Sequence, residues 1–247
     1  MDKVLVVTGG SRGIGRAVSL LAATRGWRVC LSYVSNREAA EAVVREIEAG
    51  GGTALAVRSD VAVEAEIEDL FRQADGLGTL GGLVNNAGVV DYAARVDEMT
   101  GARLTRMMTT NVVGSFLCAA QAVRRMSTKH GGQGGAIVNL SSVAARLGAP
   151  GQYVDYAASK GAIDTFTTGL AVEVAAEGIR VNAVAPGLIE TEIHASGGQP
   201  DRLVRLGPSV PMKRVGTAEE VAAPIVWLLS DEASYTTGTL VTVSGGR

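Results

Sequence analysis

The sequence predicts an α/β fold in which helices cover both faces of a doubly wound, seven-stranded parallel sheet. Short runs rich in Val, Leu, Ile and Ala alternate with longer helical patterns along the chain. Parallel strands need a crossover between them, and the helical segments supply it. The strand runs are almost continuously apolar, as expected for strands buried on both faces. No Pro- or Ser-rich linker interrupts this order, so residues 1–247 are interpreted as a single domain.

The predicted elements follow one another in a regular order. The strands are 3–7, 28–33, 53–57, 82–85, 136–140, 180–184 and 239–243. The helices lie near 14–25, 37–49, 63–74, 101–128, 155–177 and 217–229. One long segment, 187–216, shows no clear period and contains several Gly and Pro residues. Because loops of this length are usually functional or disordered, and this one follows a late strand, we predict a lid over a substrate pocket.

The composition argues against several classes of protein. Aromatic residues make up only 4% of the chain and hydrophobic residues 47%, so the core must be built from aliphatic side chains. The formal net charge of −2 argues against a general attraction to nucleic acid. Cys30 and Cys118 lie in apolar runs without metal-ligand spacing, so we predict buried thiols and no metal site. No apolar stretch reaches the about 18–20 residues that span a bilayer, and we expect a cytoplasmic protein.

The first strand leads into a glycine-rich turn, Thr8-Gly9-Gly10-Ser11-Arg12-Gly13-Ile14-Gly15, and a predicted helix follows. Glycine lets the backbone turn sharply and approach a pyrophosphate closely. A helix N-terminus presents free N–H groups and the positive end of its dipole. Such a turn can be purely structural, but its place between a first strand and a helix favours a dinucleotide site.

The end of the second strand indicates which dinucleotide binds. NAD sites usually carry an acidic residue there, which bonds the ribose 2′-hydroxyl. This chain has no acid until Glu38, whereas Arg12, Arg37 and the Ser35 hydroxyl are available for a 2′-phosphate. The alternative is that both arginines are ordinary solvated residues. We predict NADP, with NAD the less favoured cofactor.

Asp60 and Val61 follow the third strand. A carboxylate at this place could accept a hydrogen bond from the adenine amino group. It could equally be the N-cap of the helix that begins near Val63. The sequence by itself leaves both interpretations open.

Tyr156 and Lys160 lie four residues apart in a helical pattern, so their side chains share one helix face. A nearby ammonium favours the phenolate and is expected to lower the pKa of the tyrosine toward neutrality. The phenol could then protonate a carbonyl oxygen or deprotonate an alcohol. Ser142 follows the strand 136–140 and could donate a hydrogen bond to the same oxygen. Taken singly, the Tyr-Lys spacing is also common in surface pairs, and the serine could be a turn residue.

Further motifs appear in a fixed order after the glycine-rich turn. They are Asn85-Asn86-Ala87-Gly88, then Asn111 within Thr110-Asn111-Val112-Val113-Gly114, then Ser142, Tyr156 and Lys160, and then Pro186-Gly187 with Thr191. Together these motifs resemble the short-chain dehydrogenase/reductase family over essentially the whole chain. The resemblance is to its branch of 3-oxoacyl-acyl-carrier-protein reductases and glucose dehydrogenases, and it implies a single-domain Rossmann fold.

The resemblance implies roles for four catalytic residues. Ser142 would polarise the substrate oxygen and Tyr156 would be the general acid or base. Lys160 would bond the nicotinamide ribose and tune the tyrosine, and Asn111 would hold a water that extends a proton relay. The cofactor-binding residues that the motifs and the resemblance imply are Gly9, Ser11, Arg12, Gly13, Ile14, Gly15, Tyr33, Ser35, Asn36, Arg37, Asp60, Val61, Asn86, Ala87, Gly88, Tyr156, Lys160, Pro186, Gly187, Ile189 and Thr191.

The expected function is NADPH-dependent reduction of a small-molecule ketone or a 3-oxoacyl substrate. A sugar or polyol dehydrogenase is the runner-up, and the segments 143–155 and 188–210 would decide between them. A non-catalytic NADP-binding regulator and a sugar-nucleotide epimerase are weaker alternatives. The interval from Ser142 to Tyr156 is one residue longer than is common in the family, which weakens any transfer of substrate by analogy. Relatives commonly assemble through the equivalents of helices 101–128 and 155–177, so a homotetramer is expected.

Overall fold

A computed structural model describes residues 3–247, apart from the side chain of His194. The strands form one sheet with the order β3-β2-β1-β4-β5-β6-β7, and every pairing is parallel. The predicted fold class is therefore confirmed. The strands are β1 (Lys3–Val7), β2 (Arg28–Tyr33), β3 (Ala54–Arg58), β4 (Thr79–Asn85), β5 (Gly135–Leu140), β6 (Ile179–Pro186) and β7 (Leu240–Val243).

The helices lie on the two faces of this sheet and in the predicted lid. They are α1 (Gly13–Thr24), α2 (Arg37–Ala49), α3 (Glu64–Asp75), α4 (Gly101–Met108), α5 (Gly114–Met126), α6 (Ala144–Leu147), α7 (Val154–Val174), α8 (Ile193–Ser196), α9 (Arg202–Leu206) and α10 (Ala218–Leu229). Helices α8 and α9 fall within the segment 187–216. They have four and five residues, which is too short for an apolar period to show in the sequence.

Alternate residues of each strand supply two separate cores. In β1, Leu5 and Val7 point to the face covered by α1, α2 and α10. Val4 and Val6 point to the opposite face, covered by α3, α5 and α7. All four side chains are fully buried, which explains why this strand reads as a continuous apolar run.

Strand β4 begins at Thr79, three residues before the predicted start at Gly82. Its pairing with β1 shifts between Val4 and Leu5, so Gly81 is left over as a bulge. Two adjacent glycines at the start of this strand hide its apolar pattern, and the prediction of its boundary was wrong for that reason.

The single helix predicted over 101–128 is divided in the structure. Helix α4 ends at Met108, a π-helical turn covers Thr109–Val113, and α5 begins at Gly114. A Cβ on Gly114 would lie 2.6 Å from the Val61 carbonyl oxygen, so the chain approaches the loop after β3 closely here. Turns of this kind inside helices are frequent at functional sites, and this one contains Asn111.

The order in which strands are added reverses between β1 and β4. The chain proceeds from β1 through β2 to β3 on one side, and from β4 through β5 to β7 on the other. Ligands bind parallel α/β sheets in the crevice at the carboxyl ends of such neighbouring strands. The glycine-rich turn after β1 and the segment 85–88 at the end of β4 both lie at this crevice.

Both cysteines lie fully buried in the core, as predicted, and burial raises the pKa of each thiol to about 12. Neither is therefore a thiolate near neutral pH. Within the residues that the structure describes, no three His, Cys, Asp or Glu side chains are grouped as a metal site. No helix in that part of the chain combines the length and apolar character needed to cross a membrane.

Candidate active site

The glycine-rich turn forms a cradle that side chains would fill. Gly9 has φ of 64°, in the left-handed region that favours glycine. A Cβ on Gly15 would lie 2.4 Å from the Gly9 carbonyl oxygen. Arg12 is the N-cap of α1 but makes no side-chain capping bond, so it leaves the first N–H groups of the helix available. These features fit the pyrophosphate of a dinucleotide.

The cradle is braced from the neighbouring strand by Asn86. Its side-chain amide donates to the Thr8 carbonyl at 2.8 Å and to the Gly9 carbonyl at 3.0 Å. The Thr8 hydroxyl in turn accepts from the backbone N–H groups of Asn86 and Ala87, each at 3.0 Å. The amide of Asn86 therefore shapes the cofactor loop, while Ala87 and Gly88 continue along the crevice.

The residues predicted to select the nucleotide are Arg12, which precedes α1, and the residues that follow β2. Arg12 is exposed, and no acidic side chain in the described ranges forms an ion pair with it. Arg37 donates through Nε to Glu41 at 2.6 Å, and this pairing raises the pKa of its guanidinium. Asn36 caps α2 by accepting from the Ala39 N–H at 3.0 Å. Ser11 and Tyr33 are partly buried here and Ser35 is exposed.

Asp60 does not cap the following helix, so that interpretation was wrong. Helix α3 begins at Glu64 with Val63 as its N-cap and no side-chain capping bond. Asp60 instead accepts from the Ala62 N–H at 2.9 Å, in a turn two residues ahead. Val61 is buried against Gly114.

Ser142 and Tyr156 meet across the crevice. The Ser142 hydroxyl is hydrogen-bonded to the Tyr156 phenol, and it also accepts from the Ala144 N–H at 3.1 Å. The adjacent Ser141 points elsewhere, toward the carbonyl oxygen of Lys160 at 3.5 Å and toward Asp164. Only one of the two serines therefore faces the reacting tyrosine.

Lys160 is buried on the same face of α7. Its Nζ donates to the Leu140 carbonyl at 2.6 Å and lies 5.6 Å from the centre of the Tyr156 ring. Burial lowers the pKa of Lys160 to about 8, although the nearby carboxylate of Asp164 acts in the opposite direction. Its charge is thus sensitive to pH in the range where enzymes work.

The pKa of Tyr156 is raised from its ordinary value, whereas the sequence argument expected it to be lowered. Burial disfavours the phenolate, and the hydrogen bond with Ser142 only partly offsets this effect. The ammonium of Lys160 bonds the Leu140 carbonyl rather than the phenolic oxygen. Without cofactor, the tyrosine is therefore held in its protonated form.

Asn111 fastens the π-helical turn to the loop after β4. Its Oδ1 accepts from the Val89 N–H at 2.8 Å, and its Nδ2 donates to the Val89 carbonyl at 3.0 Å. A Cβ on Gly88 would lie 3.4 Å from Asn111 Oδ1 and 3.7 Å from Lys160 Nζ. The structure thus brings Asn111, Gly88 and Lys160 together at one point of the crevice.

The segment 187–216, which the sequence predicts to be a lid, begins over the glycine-rich turn. A Cβ on Gly13 would lie 3.3 Å from Thr191 Cγ2, and Ile189 bridges to Gly216 where the lid ends. Gly187 donates to the Val243 carbonyl at 2.9 Å, so Pro186-Gly187 lies against the end of β7. These residues border the same crevice from the side opposite Asn86.

Sequence reasoning missed several residues of the site. Ser159 donates to the Tyr156 carbonyl at 2.7 Å and accepts from Asn111 Nδ2 at 3.2 Å. Ser32 accepts from the Gly9 N–H at 3.0 Å and so supports the cradle. Ser159 could have been predicted as a site residue from its position between Tyr156 and Lys160. Ser32 could not, because nothing in the sequence distinguishes it from other serines within strands.

Comparison with known proteins agrees with this geometry. A family model described as enoyl-(acyl carrier protein) reductase matches residues 9–247. The chain is 54% identical over 245 residues to the uncharacterized oxidoreductase YgfF of Escherichia coli, covering 99% of both proteins. It is 35% identical to the 3-oxoacyl-[acyl-carrier-protein] reductase FabG of Staphylococcus epidermidis, covering 100% of this chain and 99% of the relative.

A solved structure shows the same architecture. The acetoin dehydrogenase YohF from Salmonella typhimurium superposes with a TM-score of 0.87 at 35% identity, covering 100% of this chain and 97% of that one. The family match, the relatives and the arrangement of sheet and crevice lead to one conclusion. The chain belongs to the short-chain dehydrogenase/reductase family of oxidoreductases.

Proposed function

We propose that this protein uses NADPH to reduce a ketone or a 3-oxoacyl compound to the corresponding secondary alcohol. The observation that carries the proposal is the hydrogen-bonded pair of Ser142 and Tyr156, with Lys160 buried beside it at the crevice. The names of FabG and of the acetoin dehydrogenase support a carbonyl substrate. The assigned catalytic residues are Asn111, Ser142, Tyr156 and Lys160.

The pair accounts for the proton that the reduction requires. The nicotinamide, when bound, supplies the hydride for the carbonyl carbon. Ser142 donates a hydrogen bond to the carbonyl oxygen, and Tyr156 transfers its phenolic proton to that oxygen. The raised pKa of Tyr156 suits this direction, because the proton donor must be protonated before the reaction. The phenolate that remains is stabilised by the ammonium of Lys160.

Asn111 and Lys160 would return a proton to the tyrosine. We propose that Asn111 holds a water near Lys160 Nζ, because both groups converge on Gly88. A proton from this water could pass through Lys160 toward the phenolate. The bonds between the Asn111 side chain and the Val89 backbone hold this side chain in place, and they also hold the π-helical turn that contains Asn111.

NADP is the cofactor that the edge after β2 fits best. Arg12 is free of ion pairs with the described residues, and an exposed guanidinium is well suited to a 2′-phosphate. Arg37 is already paired with Glu41, so Arg12 is the stronger candidate. Ser35 follows the same strand, and in this proposal Asp60 accepts a hydrogen bond from the adenine amino group.

Replacing Arg12 tests the cofactor assignment. We expect Arg12→Ala to weaken NADPH binding by roughly 10- to 100-fold, the range of a lost charge-assisted hydrogen bond, and to change NADH binding by less than about 2-fold. Fluorescence titration with each cofactor measures both. Arg16→Ala is the matched control, because Arg16 lies one turn along α1 and pairs with Glu46. Equal weakening of both cofactors by Arg12→Ala would contradict the 2′-phosphate role.

A panel of ketones, 3-oxoacyl thioesters and sugars, followed by nicotinamide absorbance, tests the reaction itself. The proposal expects turnover of a ketone or thioester with NADPH. Oxidation of sugars alone would favour a sugar dehydrogenase instead. We further propose that the chain acts as one domain, in the cytoplasm, and as a homotetramer.

A further inference from the structure

Four arginines lie on helices α4 and α9, and they fall into two groups. Arg103 and Arg106 on α4 are neutralised, because Arg103 pairs with Asp155 and Arg106 with Asp91. Arg202 and Arg205 on α9 are different. Among the described residues, no acidic side chain forms an ion pair with either of them.

The two lid arginines converge on one neutral oxygen. Arg202 donates to Gln199 Oε1 at 3.1 Å, and Arg205 donates to the same atom at 2.6 Å. Two cations thus approach a single acceptor that carries no charge. An anionic oxygen at this place would receive the same two hydrogen bonds and would also neutralise the charges.

This cluster contacts the residues that lead into α7, the helix that carries Tyr156. The guanidinium of Arg202 stacks 5.3 Å from the centre of the Tyr153 ring, and it donates to Gln152 Oε1 at 2.7 Å. Tyr153 is the N-cap of α7, three residues before Tyr156, so the cluster is attached at the start of the helix that carries the reacting tyrosine. A substrate carbonyl at Tyr156 would therefore have Arg202 within reach of a short substituent.

The electrostatic setting of Arg202 also favours an anion. Burial lowers the pKa of its guanidinium, and the charges of Arg247 and Arg205 lower it further, with only Tyr153 acting against them. The positive charges of Arg205 and Arg247 thus act on the partly buried guanidinium of Arg202, which forms no ion pair with an acidic side chain among the described residues. Keeping like charges together costs free energy that a bound anion would recover.

We propose that Arg202 and Arg205 form a subsite for an anionic group of the substrate, a carboxylate or a phosphate carried a few bonds from the carbonyl. This proposal rests on the proposed function, and it narrows the substrate class to an oxo acid or a phosphorylated ketone. Gln199 occupies the subsite until the substrate anion replaces its oxygen.

Binding to the full-length protein loaded with NADP⁺ tests the subsite without turnover, because the oxidised cofactor cannot reduce a ketone. The probes form two pairs, acetoacetate with its methyl ester and dihydroxyacetone phosphate with dihydroxyacetone. We expect the anion of at least one pair to bind about 10-fold or more tightly than its neutral partner by calorimetry. The pair that shows this preference distinguishes a carboxylate from a phosphate.

Variants separate charge recognition from a structural role of the lid. Arg202→Gln should weaken the preferred anion by roughly 10- to 100-fold and leave its neutral partner within about 2-fold. Arg202→Lys keeps the charge and should recover part of the loss. Arg45→Gln is the control, because Arg45 is exposed on α2, away from the crevice. Equal weakening of anion and neutral partner by Arg202→Gln would overturn the proposal. It would also be overturned if neither of the two anions bound more tightly than its neutral partner.

The same ligands with NADPH distinguish the two proposals. Anion binding that depends on Arg202, without turnover of any ketone, would support the subsite and contradict the proposed reduction. Turnover of neutral ketones, with no preference for the anionic members, would support the reduction and overturn the subsite.

Discussion

At the scale of single residues, burial and hydrogen bonds determine which side chains of the site are protonated. Burial raises the pKa of Tyr156 and lowers that of Lys160 to about 8, so the tyrosine keeps its proton at a pH where the lysine begins to lose its own. Ser142 and Leu140 supply the hydrogen bonds that orient them.

Tyr156→Phe should reduce turnover by roughly 100- to 10,000-fold, the usual contribution of a general acid. The variant keeps the ring and removes only the hydroxyl, so the packing of α7 is retained. Steady-state reduction rates and NADPH titration together measure the effect, and cofactor affinity should stay within about 2-fold. Rates like those of the native protein would exclude Tyr156 as the proton donor.

The pKa of Lys160 near 8 predicts how reduction depends on pH. As pH rises through that value, Lys160 loses its proton and no longer stabilises the phenolate, so kcat/KM should fall on the alkaline side. The carboxylate of Asp164 raises this pKa, and Asp164→Asn should therefore move the fall to lower pH. A profile that stays flat to pH ~10, or an unchanged midpoint in Asp164→Asn, would contradict this role for the charge.

At the scale of elements, one ion pair holds α4 against the start of α7. Arg103 donates through Nε to Asp155 at 2.7 Å and through a second nitrogen at 3.1 Å, and the Asp155 side chain is 0% exposed. Burial alone would raise the pKa of Asp155, but the bonds from Arg103 and from backbone N–H groups outweigh it and lower the pKa. The residue that precedes the reacting tyrosine is thus fixed from another helix.

Arg103→Met should lower the free energy of unfolding by about 3–5 kcal/mol, because it leaves Asp155 buried without a partner. The double variant with Asp155→Asn should lose less, since the buried charge is also removed. Urea unfolding measures both variants. Arg106→Met is the control, because its pair with Asp91 is more exposed and should be worth about 0–1 kcal/mol. If Arg103→Met lowered the free energy of unfolding by no more than this control does, the ion pair would not be what holds α4 against α7.

At the scale of the whole molecule, apolar side chains mark where copies of the chain could meet. Val113 immediately precedes α5 and Phe116 lies on it, and each side chain is 46% exposed. Val172 on α7 is 79% exposed. Phe116 stacks on Phe166 of α7, with ring centres 3.7 Å apart. Trp227 on α10, Tyr235 after it and Leu240 on the edge strand β7 are also exposed. Two such faces are what a tetramer built from pairs of dimers needs.

The native protein should therefore have about four times the 25.4 kDa mass of one chain in light scattering. Val172→Glu should reduce this mass, because it places a charge in the proposed contact between α7 helices. Val204→Glu is the control, since Val204 is 83% exposed but lies on the lid helix α9. A monomeric native protein would contradict the assembly.

The limits of prediction follow from how far apart the interacting residues are in the chain. The order of the strands and of the longer helices could be predicted, because most of them carry an apolar run or an apolar period in their own residues. The break at Asn111 could not, since it depends on bonds to Val89, 22 residues away in sequence. Helices α8 and α9 escaped prediction because they are too short to show a period.

The sequence by itself determined the α/β class, the glycine-rich cradle and the order of Ser142, Tyr156 and Lys160. Those features are local, since a turn, a strand and a four-residue spacing each depend on residues that are close together in the sequence. Only the tertiary structure decided that Lys160 bonds the Leu140 carbonyl rather than the phenol, and that Arg202 stacks on Tyr153. Such contacts join segments that approach one another only when both cores are packed, so no local pattern could specify them.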